Sequence, residues 1–331
     1  MRISRVYAVL AVLILVLFAM SLLRGSVSIP PSAVWATLSG QAVDKPSWQY
    51  IVMESRLPQA LTALLAGGAL SVSGLLLQTA FRNPLAAPDI FGVTSGASLA
   101  VALLTLSPAV AFVGAWSYVS SVGAAFVGAL AVTALVWFFS RMVRSNIVLI
   151  IIGIMIGYIA SSGITLLNYF ATEEGVKSFA VWGMGNFGNV AMAQMPFFAT
   201  VTLLATASTL LMAKPLNALL MGENYAASLG IDVRRARNIL LAQTGLLTAV
   251  VTAFCGPVAF IALAVPHIAR LLLGTSNHRF LLPVTILSGC AIALLCNVLV
   301  TLPGDGGVLP LNAVTPLIGA PVIIYVIMKR A

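Results

Sequence analysis

Side chains that could bind a metal or transfer a proton are scarce in this sequence: eight Asp plus Glu, two His and three Cys among 331 residues. Cys255, Cys290 and Cys296 lie inside apolar runs, show no metal-ligand spacing and are odd in number, so we interpret them as small core residues. No Gly-x-x-x-x-Gly-Lys-Ser/Thr segment is present to bind a nucleotide phosphate. Spacing leaves a Ser-His-Asp arrangement open, but nothing singles one out. We therefore predict no catalytic residue, no metal and no cofactor bound by this chain.

The two histidines, His267 and His278, are too few for a convincing metal or haem site. His267 follows Pro266, which has no backbone N–H and so leaves a carbonyl without its usual helical partner. We expect the His267 ring to hydrogen-bond to such a freed backbone carbonyl. Ligation of haem or iron is the alternative.

None of the acidic residues lies in the middle of an apolar run. All eight fall in loops or at the ends of apolar runs: Asp44, Glu54, Asp89, Glu173, Glu174, Glu223, Asp232 and Asp305. Carboxylates in the middle of membrane segments usually mark proton or cation coupling. Their absence there argues against a self-sufficient secondary transporter. Backbone carbonyls alone can also bind cations, so a secondary transporter or channel for a small solute stays open as the alternative.

The elements that must position these residues are membrane helices. Hydrophobic residues make up 60% of the chain and charged residues 8%, whereas soluble domains have about 25% charged residues. The apolar runs are continuous, which excludes a membrane β-barrel as well as a soluble enzyme. Ten runs occupy residues 6–23, 59–81, 91–108, 111–139, 147–170, 195–213, 238–255, 258–273, 281–302 and 311–328. One crossing needs roughly 20 apolar residues, so we predict an all-α, polytopic membrane protein with about ten transmembrane helices.

The positive charges predict the orientation of these helices. With the N-terminus in the cytoplasm, four cationic residues lie outside: Arg24, Lys45, Arg56 and Lys177. The other 13 of the 17 lie inside: Arg2, Arg5, Arg82, Arg141, Arg144, Lys214, Arg234, Arg235, Arg237, Arg270, Arg279, Lys329 and Arg330. Cytoplasmic loops are enriched in Lys and Arg. We therefore predict that both termini are cytoplasmic.

The longest predicted cytoplasmic loop, residues 214–237, has the pattern of two short amphipathic helices, separated by Gly222 and ended by Gly230. It is too polar to cross a membrane. One interpretation is a docking surface for a partner protein. The other is a pair of helices that lie along the membrane surface.

Two segments interrupt the helical pattern. In residues 82–96, Pro84 and Pro88 disfavour helical geometry, and residues 255–267 contain Gly256-Pro257 and Val265-Pro266. Irregular backbone at membrane depth is tolerated only where it is buried in protein or lines a wet cavity. The two breaks suggest either an internal repeat or two unrelated kinks. Six glycines are predicted to permit close helix packing: Gly67, Gly68, Gly74, Gly153, Gly157 and Gly163.

Taken in order, several segments resemble the FecCD and cobalamin-type permease subunits of type II ABC importers, which carry iron-siderophores, haem and cobalamin. These segments are Arg56-Leu57-Pro58; Gly74-Leu75-Leu76-Leu77-Gln78; Arg82-Asn83-Pro84-Leu85-Ala86 through Gly92-Val93-Thr94-Ser95-Gly96-Ala97; Ser228-Leu229-Gly230-Ile231; Gly256-Pro257-Val258-Ala259-Phe260-Ile261; Val265-Pro266-His267-Ile268-Ala269-Arg270; and Leu317-Ile318-Gly319-Ala320-Pro321. The resemblance covers nearly the whole chain, residues 1–331, as a single transmembrane domain.

The resemblance implies the type II ABC importer permease fold, in the cell inner membrane, and import of a metal chelate by ATP-driven alternating access. Implied partners are a second permease subunit, identical or a paralogue, two ABC ATPase subunits and an extracytoplasmic substrate-binding protein. ATP and Mg would bind to the ATPase chains, so this subunit is not itself an enzyme. The Ala87-Pro88-Asp89-Ile90 stretch favours an iron-siderophore over haem or cobalamin as cargo.

The resemblance also implies roles for particular residues. A cytoplasmic gate would consist of Asn83, Leu85, Ser145 and Asn146. The 214–237 loop would be the coupling loop, which contacts the ATPase through Leu219, Gly222, Glu223, Ala226, Leu229 and Gly230. Docking of the binding protein would use Arg56 and Gln59.

Three departures from the family pattern lie on the predicted outer side. Gln59 stands where the second docking arginine is usual, Asn297 and Thr301 replace an Asp and an Arg, and Val308-Leu309-Pro310 replaces Glu-Leu-Pro. We therefore expect the outer docking surface to be less charged than is usual in the family.

Overall fold

The computed structural model describes residues 2–107, 115–143, 145–303 and 307–329. Regular structure within these ranges is helical, and no strand occurs there. The α-helices of these ranges are α1 (Arg2–Leu23), α2 (Pro31–Leu38), α3 (Pro46–Tyr50), α4 (Leu57–Ala80), α5 (Val93–Thr105), α6 (Ala115–Met142), α7 (Asn146–Phe170), α8 (Glu173–Gly183), α9 (Met195–Leu210), α10 (Ala213–Met221), α11 (Glu223–Ser228), α12 (Val233–Cys255), α13 (Ile261–Leu273), α14 (His278–Val300) and α15 (Leu311–Met328). A π-helical turn, Ile51–Arg56, joins α3 to α4.

Seven helical stretches of the described residues are long and apolar enough to cross a membrane: Ile3–Leu23, Pro46–Ala80, Tyr118–Met142, Asn146–Phe170, Met192–Leu210, Val233–Cys255 and His278–Val300. Three shorter apolar helices are Val93–Thr105, Ile261–Leu273 and Leu311–Val326. Each of the ten predicted segments coincides with one of these stretches. The all-α polytopic fold is therefore confirmed, with seven full-length spans and three shorter helices. Residues 111–114 of the fourth predicted segment lie outside the described residues.

Helix α4 is the centre of the bundle. In its most apolar stretch 89% of the residues are buried, against 17% in the corresponding stretches of α6 and α7. Small residues allow this crowding, because a Cβ on Gly74 would lie 1.7 Å from the Ala262 carbonyl oxygen of α13, and one on Gly67 would lie 2.2 Å from the Gly289 oxygen of α14. The backbones of these helices therefore touch directly.

The predicted role of glycine in close packing is confirmed at most, but not all, positions. A Cβ on Gly153 of α7 would lie 2.7 Å from the Phe91 Cα, and Cβ atoms on Gly68 and Gly163 would meet side chains at 3.2 and 3.1 Å. At Gly157 the prediction was wrong, because the nearest atom, Ser95 Oγ, would be at an ordinary contact distance of 3.5 Å.

Both predicted breaks in the helical pattern are present. The first runs from Phe81 to Gly92, between α4 and α5, and the second from Gly256 to Phe260, between α12 and α13. Two non-glycine residues in them adopt positive φ, Arg82 (+48°) and Phe260 (+67°), a conformation that costs energy and persists only where surrounding contacts hold it. The internal repeat stays a prediction.

Hydrogen bonds between loops show which loops lie together at each of the two ends of the bundle. At one end, Asn217 binds His278, His267 binds Pro84, and Asn146 binds Glu223. At the other, Arg56 binds Leu22 and Asn312 binds Gly183. Loops joined in this way were predicted on the same side of the membrane, and we call the two sides the basic end and the opposite end. Arg144, Asp305 and Arg330 lie outside the described residues.

Candidate coupling and gating site

Two short helices, α10 and α11, project at the basic end where the sequence predicted them. Gly222 separates them and has a φ of +118°, a conformation that L side chains rarely adopt. Gly230, at φ +79°, closes the turn after α11. The glycines thus act as the predicted helix separators.

The two helices divide their apolar side chains between the bundle and solvent. Leu216, Leu219 and Ala226 are buried against the bundle. Met221 (67% exposed), Tyr225 (48%) and Leu229 (58%) face outward; we call these three residues the exposed apolar face. Exposed apolar side chains grouped on one face are typical of an interaction surface.

Helix α10 is fixed to the bundle by Asn217. The Asn217 Oδ1 accepts a hydrogen bond of 2.8 Å from the backbone N–H of His278, at the start of α14, and its Nδ2 donates to Asn277 Oδ1 at 3.0 Å. Together with the burial of Leu216 and Leu219, these bonds make α10 a part of the core. Sequence reasoning did not single out Asn217.

Glu223, the first residue of α11, is the electrostatic centre of the site. Its carboxylate forms an ion pair with the guanidinium of Arg237, in α12. The same oxygen, Oε1, accepts a longer hydrogen bond of 3.4 Å from Asn146 Nδ2. The structure therefore brings a predicted coupling residue, Glu223, to a predicted gate residue, Asn146.

The first predicted gate segment lies beside the same turn. Asn83 Oδ1 accepts a hydrogen bond of 2.9 Å from the Leu85 backbone N–H, which holds a tight turn, and the Leu85 side chain is 41% exposed. Arg82, one residue earlier, has its Nη1 3.7 Å from the position of a Cβ on Gly222. The segment that carries Asn83 and Leu85 thus passes next to the α10–α11 turn.

The second gate segment is the start of α7. Ser145 is the N-cap residue, and its Oγ accepts a hydrogen bond of 3.5 Å from the Val148 N–H, so Ser145 serves the helix terminus. The side-chain oxygen of Asn146 is buried and has no hydrogen-bond partner. Only the amide nitrogen of Asn146 is engaged, by Glu223.

At the opposite end, Arg56 is not presented for docking as the sequence led us to expect. It is 4% exposed, and its guanidinium donates hydrogen bonds to the backbone carbonyls of Leu22, Leu23 and Val27. These carbonyls belong to the end of α1 and the turn after it, where few intrahelical donors are available. In this structure Arg56 therefore fixes α1 to the start of α4.

Gln59, the other predicted docking residue, bonds to a second departure from the family pattern. Its Nε2 donates to Asn297 Oδ1 at 2.8 Å. The two positions at which the family usually has an Arg and an Asp are thus in direct contact here, as a neutral pair. The sequence showed both departures, but it gave no sign that they touch.

Asn312, in the first turn of α15, is a structural residue that sequence reasoning missed. Its Nδ2 donates to the carbonyls of Gly183 (3.0 Å) and Pro257 (2.8 Å), and its Oδ1 accepts from the Ala259 N–H (3.1 Å). A single amide thus satisfies backbone groups of the second break. The sequence offered one indication of this role, which is that Asn312 is a polar residue in an otherwise apolar segment.

A cleft of about 700 Å³ also opens at the opposite end. Side chains from α5, α6, α8 and α12 line it, among them Tyr118, Glu174 and Trp182. The Tyr118 hydroxyl donates to the Asn189 carbonyl at 2.7 Å. The lining is largely apolar and aromatic, with several hydroxyl groups and one carboxylate, so the cleft is only weakly charged.

The groups that could have bound a metal are used structurally. His267 Nε2 lies 2.9 Å from the Pro84 carbonyl oxygen. The predicted bond from this ring to a backbone carbonyl is therefore confirmed, but the carbonyl belongs to the first break and is not the one that Pro266 frees. The three cysteines are buried and free. No group of three or more His, Cys, Asp or Glu side chains placed to hold a metal occurs within the described ranges.

Comparison with known proteins agrees with this architecture over almost the full chain. Residues 13–329 match the FecCD transport family. The hemin transport system permease protein HmuU of Yersinia pestis is 31% identical over 322 residues, which cover 97% of this chain and 94% of that protein. The vitamin B12 import system permease protein BtuC of Escherichia coli is 35% identical over 326 residues, with the same coverage.

A solved structure shows the same fold. A metal-chelate type ABC transporter in an inward-facing conformation superposes with a TM-score of 0.84 and 30% identity, and the match covers 98% of this chain and 99% of that one. The sequence and structure comparisons thus both extend over almost the whole chain. The chain belongs to the FecCD transport family, the permeases of metal-chelate type ABC importers.

Proposed function

We propose that this chain is the membrane-spanning subunit of an ATP-driven importer, and that two copies, or one copy and a paralogue, enclose its pathway. The observation that carries the proposal is the exposed apolar face of α10 and α11 at the basic end. Met221, Tyr225 and Leu229 form a surface that a soluble ATPase can cover. The basic end is then cytoplasmic, as the positive-inside rule requires.

In the proposed cycle, ATP drives the two ATPase subunits together, and their different contacts with α10 and α11 in the two states reorient the pathway. Helix α10 is held by Asn217 and its buried leucines, whereas α11 follows the Gly222 turn. The segment with Asn83 and Leu85 and the start of α7 at Ser145 and Asn146 form the cytoplasmic gate. ATP and Mg bind only to the partner chains.

The proposed cargo is a bulky metal chelate. The curated relatives named above import hemin and vitamin B12, and the sequence of residues 87–90 favours an iron-siderophore. A gate of small polar and apolar groups suits all three, because it releases a large chelate without a strong ligand that would retain it. Competition among a ferric siderophore, hemin and cobalamin for uptake by the reconstituted system identifies the cargo.

The opposite end is proposed to receive a substrate-binding protein. The Arg56 side chain already donates hydrogen bonds to backbone carbonyls, and the Gln59 side chain to Asn297. Docking of the binding protein should therefore depend less on arginine side chains than the family pattern implies. Its affinity should therefore depend only weakly on ionic strength.

Purification of the tagged protein from its native membrane in mild detergent tests the assembly. A P-loop ATPase should co-purify in a one-to-one ratio. A protein that is isolated alone, and that moves solute along an ion gradient in vesicles, would instead establish the alternative of a self-sufficient secondary transporter.

The coupling surface has its own test. We expect Glu223→Arg combined with Leu229→Asp to leave the protein in the membrane but to separate ATP hydrolysis from uptake, because the exposed apolar face gains a charge and the Arg237 pair is lost. Leu229→Met, which keeps the surface apolar, is the matched comparison. Normal uptake by the double variant would refute the coupling role of this loop.

A further inference from the structure

The hydrogen bond between Asn146 and Glu223 joins two elements that are otherwise separate in the sequence. Asn146 is the first residue of α7, and Glu223 is the first residue of α11. Their side chains meet through Nδ2 and Oε1 at 3.4 Å. Since α11 carries part of the exposed apolar face and α7 carries a gate segment, this contact is a direct link between the two.

Helix α7 packs closely against the chain at Gly153, but most of its surface is not covered by other helices of this chain. Only 17% of its most apolar stretch is buried, and Leu149, Gly153 and Ala160 are its buried positions. In its first turn, Ile147 is 71% exposed. Because so few positions of α7 are buried within the chain, a polar contact at its start contributes directly to its position.

A third element, α12, holds the Glu223 carboxylate in this contact. Arg237, in the first turns of α12, pairs with Glu223, and an ion pair of this kind fixes the carboxylate more firmly than the neutral amide can. Glu223 also follows Gly222 directly, so a rotation of α11 about that turn moves the carboxylate. Arg82, from the first gate segment, lies beside the same glycine.

We propose that Glu223 is a transmission residue: when a partner displaces α11, the Glu223 carboxylate moves the start of α7 through Asn146, with Arg237 holding the carboxylate in position. The proposal rests on the function proposed above, since it assumes that α11 receives the ATPase. The unpartnered Oδ1 of Asn146 fits this role, because the amide has an unused acceptor that a shifted α7 can engage.

Exchange of charge between the two positions tests the link. Asn146→Asp places two carboxylates against each other, and we expect uptake per ATP hydrolysed by the purified full complex in proteoliposomes to fall by about threefold to tenfold. Glu223→Gln alone leaves Arg237 without its ion-pair partner, and uptake per ATP hydrolysed should fall by a similar factor. In the double variant one carboxylate again faces one amide beside Arg237, so uptake per ATP should return to within about twofold of the original.

Asp232→Asn is the matched control, because it removes a carboxylate from the same loop but retains the cap of α12, where Asp232 accepts a hydrogen bond from the Arg235 N–H. Additive losses in the double variant would overturn the proposal. If Asn146→Asp does not accumulate in the membrane, Asn146→Ala combined with Glu223→Gln gives the same cycle, and additivity there has the same meaning.

Failure of this proposal is distinguishable from failure of the proposed function. If the unaltered protein shows no ATP-dependent uptake with its co-purified partner, the proposed function is wrong. If the unaltered protein is coupled and the exchange of charge gives no rescue, only the transmission role of Glu223 is wrong.

Discussion

The contact between Gln59 and Asn297 shows how a charged pair can be replaced by a neutral one at the same place. Gln59 Nε2 donates to Asn297 Oδ1 at 2.8 Å, and Asn297 is buried. A buried charge without a partner costs free energy, whereas a matched pair of charges recovers part of that cost. A charge introduced at the buried Asn297 therefore costs less when Gln59 carries the opposite charge.

This pair yields a prediction at the residue scale. Asn297→Asp and Gln59→Arg should each lower the free energy of unfolding by roughly 1–3 kcal/mol, because the first leaves a buried and the second a half-buried charge facing an amide. Together they should recover most of the loss. Thermal unfolding midpoints in detergent measure the effect. Gln49→Arg, an exposed substitution at the same end, is the control, and a double variant no more stable than the worse single variant would contradict the prediction.

The hydrogen bonding of a single side chain was predictable from the sequence only where it depends on residues close by in the chain. A hydrogen bond from the His267 ring to a backbone carbonyl was predictable, but its partner was not: Pro266 leaves the Ala262 carbonyl without a donor, whereas the ring contacts the carbonyl of Pro84, 183 residues away. The contact of Asn146 with Glu223 joins positions 77 residues apart. No local rule reports such a separation, so this link, like the burial of Arg56, required the structure.

At the scale of elements, the break between α12 and α13 depends on one side chain from α15. Asn312 donates to the Gly183 and Pro257 carbonyls and accepts from the Ala259 N–H. Backbone groups left unpaired at membrane depth are costly. Phe260, in a strained conformation at φ +67°, directly follows Ala259, one of the residues that Asn312 binds; we call these three hydrogen bonds the Asn312 clamp.

We predict that Asn312→Leu lowers the free energy of unfolding by about 2–4 kcal/mol, because three backbone groups lose their partner. The loss should appear as a lower thermal midpoint and as faster proteolysis near Gly256. Asn168→Leu is a matched control, since the Asn168 side-chain oxygen has no hydrogen-bond partner in the structure. Equal losses in both variants would show that the clamp is unimportant.

The helices α10 and α11 were predictable as elements because glycine marks their ends. Gly222 and Gly230 both adopt positive φ, a conformation for which glycine is the usual residue. Their attachment was not predictable, since Asn217 contacts α14, about 60 residues further along the chain. The sequence thus predicted the shape of the coupling loop, and tertiary contacts decide which of its halves is anchored.

At the scale of the whole molecule, the bundle depends on direct contact between helix backbones. We predict that Gly74→Ala prevents accumulation of folded protein or strongly lowers its thermal midpoint, because the added Cβ would lie 1.7 Å from the Ala262 carbonyl oxygen. Gly157→Ala should be tolerated, since its nearest neighbour would be 3.5 Å away. The yield of monodisperse protein after solubilisation in detergent, and its thermal midpoint, measure the effect. Equal yields and midpoints for the two variants would disprove the packing argument.

The overall fold was largely predictable because continuous apolar runs and the asymmetry of Lys and Arg constrain the number and direction of the helices. The packing order of those helices was not. Composition is similar in α4 and α6, yet α4 is central and α6 is peripheral. Pairs of facing glycines such as Gly67 and Gly289 decide this order, and one sequence does not reveal which glycines face each other.

The burial of all three native cysteines has a practical consequence for labelling. Cys255 and Cys296 are 0% exposed and Cys290 is 7% exposed, so water-soluble maleimides should find little to modify in the folded chain. A cysteine introduced at Met221 or Tyr225 would then be the dominant reactive site. The natural sequence is therefore already suited to site-specific attachment of fluorophores, and the movement of α11 can be followed without first removing cysteines.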